Sequence, residues 1–434
     1  MTDKGFFAEE NKLDKKDYVI ADYFFETFWE PEKAAIELCK EQSTALWSLA
    51  GNPGIDLRKK HGAKILGIKV DAVKEKPLTN AFLAVNPAGK RFSSGIMRIA
   101  HPIINFGYRL PNLLTALIGE GTFNASSFTA IKLVKVEFPE SFLKRFSGPK
   151  FGLKGIRKKL NVKERPLFCG VVKPNVGLNA KDFSRIAFEA LKGGLDIVKD
   201  DELMNDSSYS STEERVQAVM QGLFKAEQET GEKKLYVCNI TDEVDKILEL
   251  HDLVVSLHGN AVMLNAFPVG LSGIRMLAKK TKVPIVSHFV SMDALARSRF
   301  FGAAYPVMTL LQRIAGADMI ITPGVAERMS TTQEDFKENI TACLKELPGV
   351  NECLPAFGGG DWAGTIKKPF ELLGTKDFCL VVGSGAFGHP KGPEAGAKSL
   401  RLAWQAIDEN KGIEEFAEKH IELKQALEFF GKKK

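Results

Sequence analysis

Residues 182–203 read DFSRIAFEALKGGLDIVKDDEL. The first part has apolar residues at helical spacing, the pattern of a helix with one buried face. Leu195–Lys199 then reads as a short buried strand, and it runs straight into Asp200, Asp201 and Glu202. One explanation is that strands end at the surface and surfaces are charged. The rest of the chain weighs that reading against a metal site.

The same alternation recurs along the chain. Short apolar runs (PLFCGVV, LDIVK, LYVCNIT, AVMLNAFPV, PIVSHFV, MIITPG, CLPAFGGG and FCLVVGSG) are separated by helical stretches such as EERVQAVMQGLFKAEQE and EDFKENITACLKEL. Eight strand-then-helix units in about 250 residues predict a (β/α)8 TIM barrel. An open doubly wound sheet is the second choice. Before residue 146 the rhythm differs. DYVIADYFFET, KILGIKVDAV, GIMRIAHP and FTAIKLVKVEFP read as strands, and PEKAAIELCKEQSTALW and PNLLTALIGEG as helices. The expected fold class is therefore α/β: an N-terminal α+β (ferredoxin-like) domain over 1–145, then a barrel with a C-terminal helical extension over 146–434.

Composition narrows the function classes. The chain has 434 residues, 44% apolar and 26% charged, with 60 basic against 54 acidic residues. A net charge of +6 without charge blocks, apart from the terminal GKKK, does not argue for nucleic acid. No window suits a membrane span. The N-terminus lacks the apolar segment of a secretory signal. Six cysteines without a CxxC pair read as buried reduced thiols, so a cytoplasmic location is expected.

Chemistry in a barrel gathers at the C-terminal strand ends. There the first strand ends in Lys173-Pro174-Asn175, the third in Asn239, the fourth in Asn265 and the fifth in Ser287-His288. Side chains alternate along a strand, so Leu195, Ile197, Lys199 and Asp201 share one face. Two carboxylates, Asp201 and Glu202, suit Mg2+, a hard ion that takes oxygen ligands. An ammonium cannot ligate, so Lys199 does not fit that site as it stands. A salt-bridged strand end is the plain alternative. Lys173, buried at a strand end, would serve as an acid or base, and a surface lysine is its alternative. His288 is either a base or a satisfied core histidine. Gly358–Gly360 and Gly383-Ser384-Gly385 follow the seventh and eighth strands, where barrels often bind phosphate through backbone N–H groups. Tight turns alone would also explain the glycines. GSGAFG at 383–388 matches GxGxxG, but it follows the last strand rather than the first, so a dinucleotide site is disfavoured.

GGLDIVKDDE, GVVKPNVGL and FGHPKGPEAGA together resemble the ribulose bisphosphate carboxylase (RuBisCO) large-subunit superfamily, and EQSTALW and NLLTALIGEG fit its N-terminal domain. The resemblance covers nearly the whole chain. It implies that Lys199 takes up CO2 as a carbamate and so becomes an anionic oxygen ligand for Mg2+ with Asp201 and Glu202. It implies that Lys173 is the catalytic lysine and that His288 lies beside the metal-bound substrate. Trp47, Gly360 and Gly383 match one phosphate site, with Gly359 and Ser384 as further backbone donors. Glu41 would reach in from the other subunit of a homodimer.

Departures from the family pattern are equally informative. Phe289 stands where carboxylases place an arginine for the second phosphate, and Ile321 where they place a histidine. Asn175 replaces a lysine, Gly358 a serine and Glu120 an asparagine; the flexible-loop lysine falls at or near Arg328. This pattern resembles the RuBisCO-like, form IV proteins, closest to the green-sulfur and photosynthetic-bacterial branch. The expected function is Mg-dependent enolisation or isomerisation of a phosphorylated, methylthio-type sugar in sulfur metabolism or methionine salvage, with Glu120 a candidate base. The alternatives are a non-catalytic protein with a role in sulfur or oxidative-stress response, and a genuine carboxylase.

Overall fold

The computed structural model describes residues 3–45, 57–79, 90–124, 127–326, 329 and 331–433. The chain forms two compact units. One comprises Met1–Phe146 with Ser291–Leu311, the other Ser147–Val290 with Gln312–Lys434.

In the first unit β1 (Tyr18–Thr27), β2 (Lys64–Lys74), β3 (Phe92–Pro102) and β4 (Phe128–Glu137) form an antiparallel sheet in the order β4-β1-β3-β2. Helices Pro31–Cys39 and Leu110–Ile118 connect β1 to β2 and β3 to β4. That is the ferredoxin-like βαββαβ arrangement expected. Pro31 opens its helix, where the missing N–H costs nothing. The α-helix stops at Cys39, and Lys40–Thr44 continues as a π-helical turn carrying Glu41. Tyr23 ties the sheet to the second helix. Its hydroxyl donates to Leu117 O at 2.9 Å and lies 3.0 Å from His101 Nε2.

The second unit begins its barrel with β5 (Leu167–Val171), β6 (Ile197–Lys199), β7 (Leu235–Asn239), β8 (Ala261–Asn265) and β9 (Ile285–His288). The chain then leaves the barrel. β10 (Phe301–Ala303) pairs in parallel with Ile131–Leu133 of β4, and Lys132 Nζ donates to Ala296 O at 2.8 Å. The sequence pattern assigns this stretch to the barrel domain. Its backbone is satisfied at the open edge of the N-terminal sheet instead. The chain returns for β11 (Met319–Pro323), β12 (Leu354–Gly358) and β13 (Cys379–Val382). The barrel is closed, parallel and ordered β11-β12-β13-β5-β6-β7-β8-β9. Helices Gly392–Asp408, Ile413–Ala417 and Ile421–Phe430 complete the chain. One apolar run is longer than the strand it marks: β8 ends at Asn265, and Ala266–Lys280 is helical with a break at Gly270.

Inside the barrel Val171, Ile197, Val237, Met263, Val286, Ala356 and Val381 belong to one apolar cluster. Because side chains alternate, the residue two positions further along each strand also faces inward. That next layer holds Lys173, Lys199, Asn239, Asn265, His288, Gly358 and Gly383. The fold thus turns an apolar core into a polar mouth within two residues. All six cysteines are buried and unbridged. Among the described residues no helix is long and apolar enough to cross a membrane.

Candidate active site

β6 sorts its terminal charges by the alternation of the strand. Lys199 and Asp201 face the mouth, and Asp200 points the other way. Asp200 accepts from Tyr236 Oη at 2.7 Å, Asn239 N at 2.9 Å and Arg215 Nε at 3.3 Å. Asp200 and Arg215 are both fully buried. A buried pair with these additional hydrogen bonds is a structural anchor rather than a reacting group. Arg215 Nη1 also donates to Ser210 O at 2.6 Å, which fixes the loop after β6.

On the mouth side, Lys173 Nζ donates to Asp201 Oδ2 at 2.7 Å and to Asn175 Oδ1 at 2.8 Å. Lys199 Nζ donates to Asp200 O at 2.6 Å and lies 3.8 Å from Glu202 Oε2. His288 Nε2 lies 3.6 Å from the same Glu202 oxygen. Strands β5, β6 and β9 thereby bring two lysines, two carboxylates and an imidazole together. Asn239 Nδ2 donates to Met204 O at 2.6 Å, and Asn265 Nδ2 to Glu202 O at 3.0 Å. Both amides hold the loop that carries Glu202. The sequence marks these asparagines as strand ends without a role; their inward register with Lys199 and His288 is the available signal.

Burial sets the protonation states. Lys199 is fully enclosed, and loss of water lowers its pKa against the pull of Glu202 and neighbouring acids. His288 is held well below its ordinary value of 6.5 by burial and then by the charges of Lys199 and Lys173. It is therefore neutral at neutral pH.

Among the described residues no group of three His, Cys, Asp or Glu is placed to hold a metal ion. The two carboxylates present are compensated by lysines. Converting the Lys199 ammonium to a carbamate would remove the cation nearest Glu202 and supply a third oxygen donor. Its lowered pKa favours the free amine that this conversion needs. The residues fit Mg2+ on that condition.

The glycine loops also meet. A Cβ on Gly385 would collide with Asp361 O, so the loop after β13 packs against the loop after β12. Gly359 and Gly360 have φ of 144° and 112°, which only glycine adopts readily. A Cβ on Gly358 would collide with Val381 O, so the β12–β13 pair excludes the serine expected there. Among the described residues the N–H groups of Gly359, Gly360, Gly383 and Ser384 donate to no protein acceptor. Gly383 also borders Lys173: a Cβ on it would lie 3.0 Å from Lys173 Cε.

Phe289 stacks on His288, with ring centroids 4.7 Å apart, and packs against the apolar barrel lining. Ile321 is buried in that lining. Glu41 and Glu120 are exposed residues of the first unit. Trp47 and Arg328 lie outside the described residues.

A closed parallel barrel with catalytic-type side chains at its strand ends and a glycine cradle defines a TIM-barrel enzyme scaffold. The chain belongs to the RuBisCO large-chain family: residues 152–430 match the ribulose bisphosphate carboxylase large chain, catalytic domain. Within it the chain falls with the RuBisCO-like proteins. It is 45% identical to the ribulose bisphosphate carboxylase-like protein of Chlorobaculum tepidum, covering 97% of this chain and 96% of that one. It is 44% identical to the protein of the same description from Allochromatium vinosum, covering 99% and 93%. The crystal structure of a rubisco-like protein from Burkholderia fungorum superimposes with a TM-score of 0.86 at 29% identity, covering 95% of this chain and all of that one. The green-sulfur and photosynthetic-bacterial branch fits these relatives, and they support a non-carboxylase role.

Proposed function

We propose that the protein is a Mg-dependent enolase or isomerase acting on a phosphorylated, methylthio-type sugar. The observation that carries this reading is the contact of Lys173 with Asp201 beside Lys199, Glu202 and His288. Lys199 as a carbamate, with Asp201 and Glu202, would hold Mg2+. When bound, the ion supplies Lewis-acid polarisation of a carbonyl oxygen and so makes the neighbouring C–H acidic.

The protein's own groups do the rest. Lys173 Nζ, which donates to Asp201 and Asn175, would move a proton at the carbon beside the carbonyl. Neutral His288 accepts or returns a proton at the adjacent hydroxyl. Gly359, Gly360, Gly383 and Ser384 hold a single phosphate through backbone N–H groups. A homodimer completes the site, with Glu41, Trp47 and the candidate base Glu120 contributed by the N-terminal unit of one protomer to the mouth of its partner. Asn175 and Arg328 line the substrate.

Proton NMR in D2O tests the function. With Mg2+ and bicarbonate, deuterium should wash into the carbon beside the carbonyl of 5-methylthioribulose-1-phosphate or of 2,3-diketo-5-methylthiopentyl-1-phosphate. Lys173→Met should abolish the exchange. No wash-in across both compounds contradicts the reading.

A further inference from the structure

Asn265 ends β8 and is 8% exposed. Its Nδ2 donates to the backbone oxygen of Glu202 at 3.0 Å. Its Oδ1 is buried and, among the described residues, has no hydrogen-bond partner. Turning the amide over does not cure this, because the Glu202 carbonyl can only accept and would then face Oδ1. The orientation is therefore fixed by chemistry, and the unpaired acceptor is a consequence of it. A buried carbonyl without a donor is costly, so a group left in that state calls for a donor that the described residues do not supply.

Position says where that donor sits. Met263 belongs to the apolar lining, so Asn265, two residues on, faces the mouth. It is paired in register with His288 on β9. Its own amide grips the residue that would ligate Mg2+. Around the closed barrel β8 lies opposite β13 and β7 opposite β12, so Asn265 faces the glycine loops from the far side. A ligand whose phosphate rests on those loops extends towards it.

We propose that Asn265 Oδ1 accepts a hydrogen bond from an O–H donor in the barrel mouth, either a hydroxyl of the phosphorylated sugar or a water on the metal ion. Asn265 is then a binding residue of the site rather than only a brace for the Glu202 loop. This rests on the function proposed above.

Calorimetry separates the cases with two variants. Asn265→Leu removes both polar atoms; Asn265→Asp keeps an acceptor and loses the donor to Glu202 O. Asn265→Ala takes the place of the leucine variant if that protein does not fold. Each is titrated with Mg2+ in saturating bicarbonate, and then with 5-methylthioribulose-1-phosphate in saturating Mg2+. The expected result is at least a tenfold loss of affinity in Asn265→Leu for one titrant, largely retained in Asn265→Asp. Loss confined to the sugar phosphate identifies a hydroxyl as the donor; loss for Mg2+ identifies the water. Equal losses in both variants would show that only the amide grip on Glu202 matters, and unchanged affinities would show no role; either overturns the proposal. If the wild-type protein does not bind the sugar phosphate, the phosphosugar reading fails, and the Mg2+ titrations alone decide for or against the acceptor.

Discussion

Lys173 Nζ and Asp201 Oδ2 are 2.7 Å apart, across the ends of neighbouring strands β5 and β6. Asp201 is 1% exposed, and the Lys173 ammonium compensates its charge. On the function proposed above, Asp201 would hold Mg2+, so the ligand and the lysine proposed to move the proton share one contact.

The adjacent acids Asp200 and Asp201 should give opposite phenotypes. Asp200→Ala leaves Arg215 buried without its carboxylate and should cost about 3–5 kcal/mol of stability. Asp201→Ala should leave a folded protein that no longer binds Mg2+. Urea denaturation and Mg2+ calorimetry on both proteins check the split. A fully stable Asp200→Ala protein would count against the anchor.

That division of labour shows what is legible in the sequence. The eight strand-helix units, the mouth residues Lys173, Lys199 and His288, and the Asp201–Glu202 pair follow from periodicity and from family motifs. The opposite turn of Asp200 is implicit in strand alternation, but its partners Arg215 and Tyr236 are distant in sequence. β10 is not legible, because three residues pairing with a strand some 170 positions earlier leave no local pattern. Gly358 reads in sequence as a lost phosphate ligand, and its backbone contact with β13 becomes visible only in three dimensions.

Metal-free stability should fall in acid partly through His288. Its folded pKa is depressed, so the unfolded chain binds the proton first. The stability it contributes is present above about pH 6.5 and is lost as pH falls from there towards the folded value. His101, buried and held at about 4, acts in the same direction. The comparison is therefore wild type against His288→Gln in EDTA. Between pH 6.5 and 5 the wild type should lose more stability than the His288→Gln protein, by about 1 kcal/mol or more. Parallel curves would mean that His288 protonates as easily folded as unfolded.

Gly383 should matter twice. A Cβ there would lie 3.0 Å from Lys173 Cε. Gly383→Val should weaken 5-methylthioribulose-1-phosphate far more than its dephosphorylated analogue, by blocking approach to the N–H groups. It should also lower the deuterium-exchange kcat, by pushing Lys173 from its place. Equal losses for the two ligands would put the phosphate elsewhere, and an unchanged kcat would release Lys173 from dependence on Gly383.

Ribulose bisphosphate should not be carboxylated. Phe289 lies against the apolar lining and Ile321 is buried within it. A second phosphate there would be desolvated without cationic partners, at a cost of several kcal/mol. Labelled bicarbonate should enter no acid-stable product above a no-enzyme blank; incorporation above it would show that another cation serves.

Mg2+ titration with and without bicarbonate tests most directly whether Lys199 becomes the third ligand. Wild-type protein should bind Mg2+ at least tenfold more tightly once bicarbonate is present, and Lys199→Ala should bind weakly in both conditions. Wild-type affinity that ignores bicarbonate would contradict the carbamate and leave Asp201 and Glu202 as the only acidic ligands.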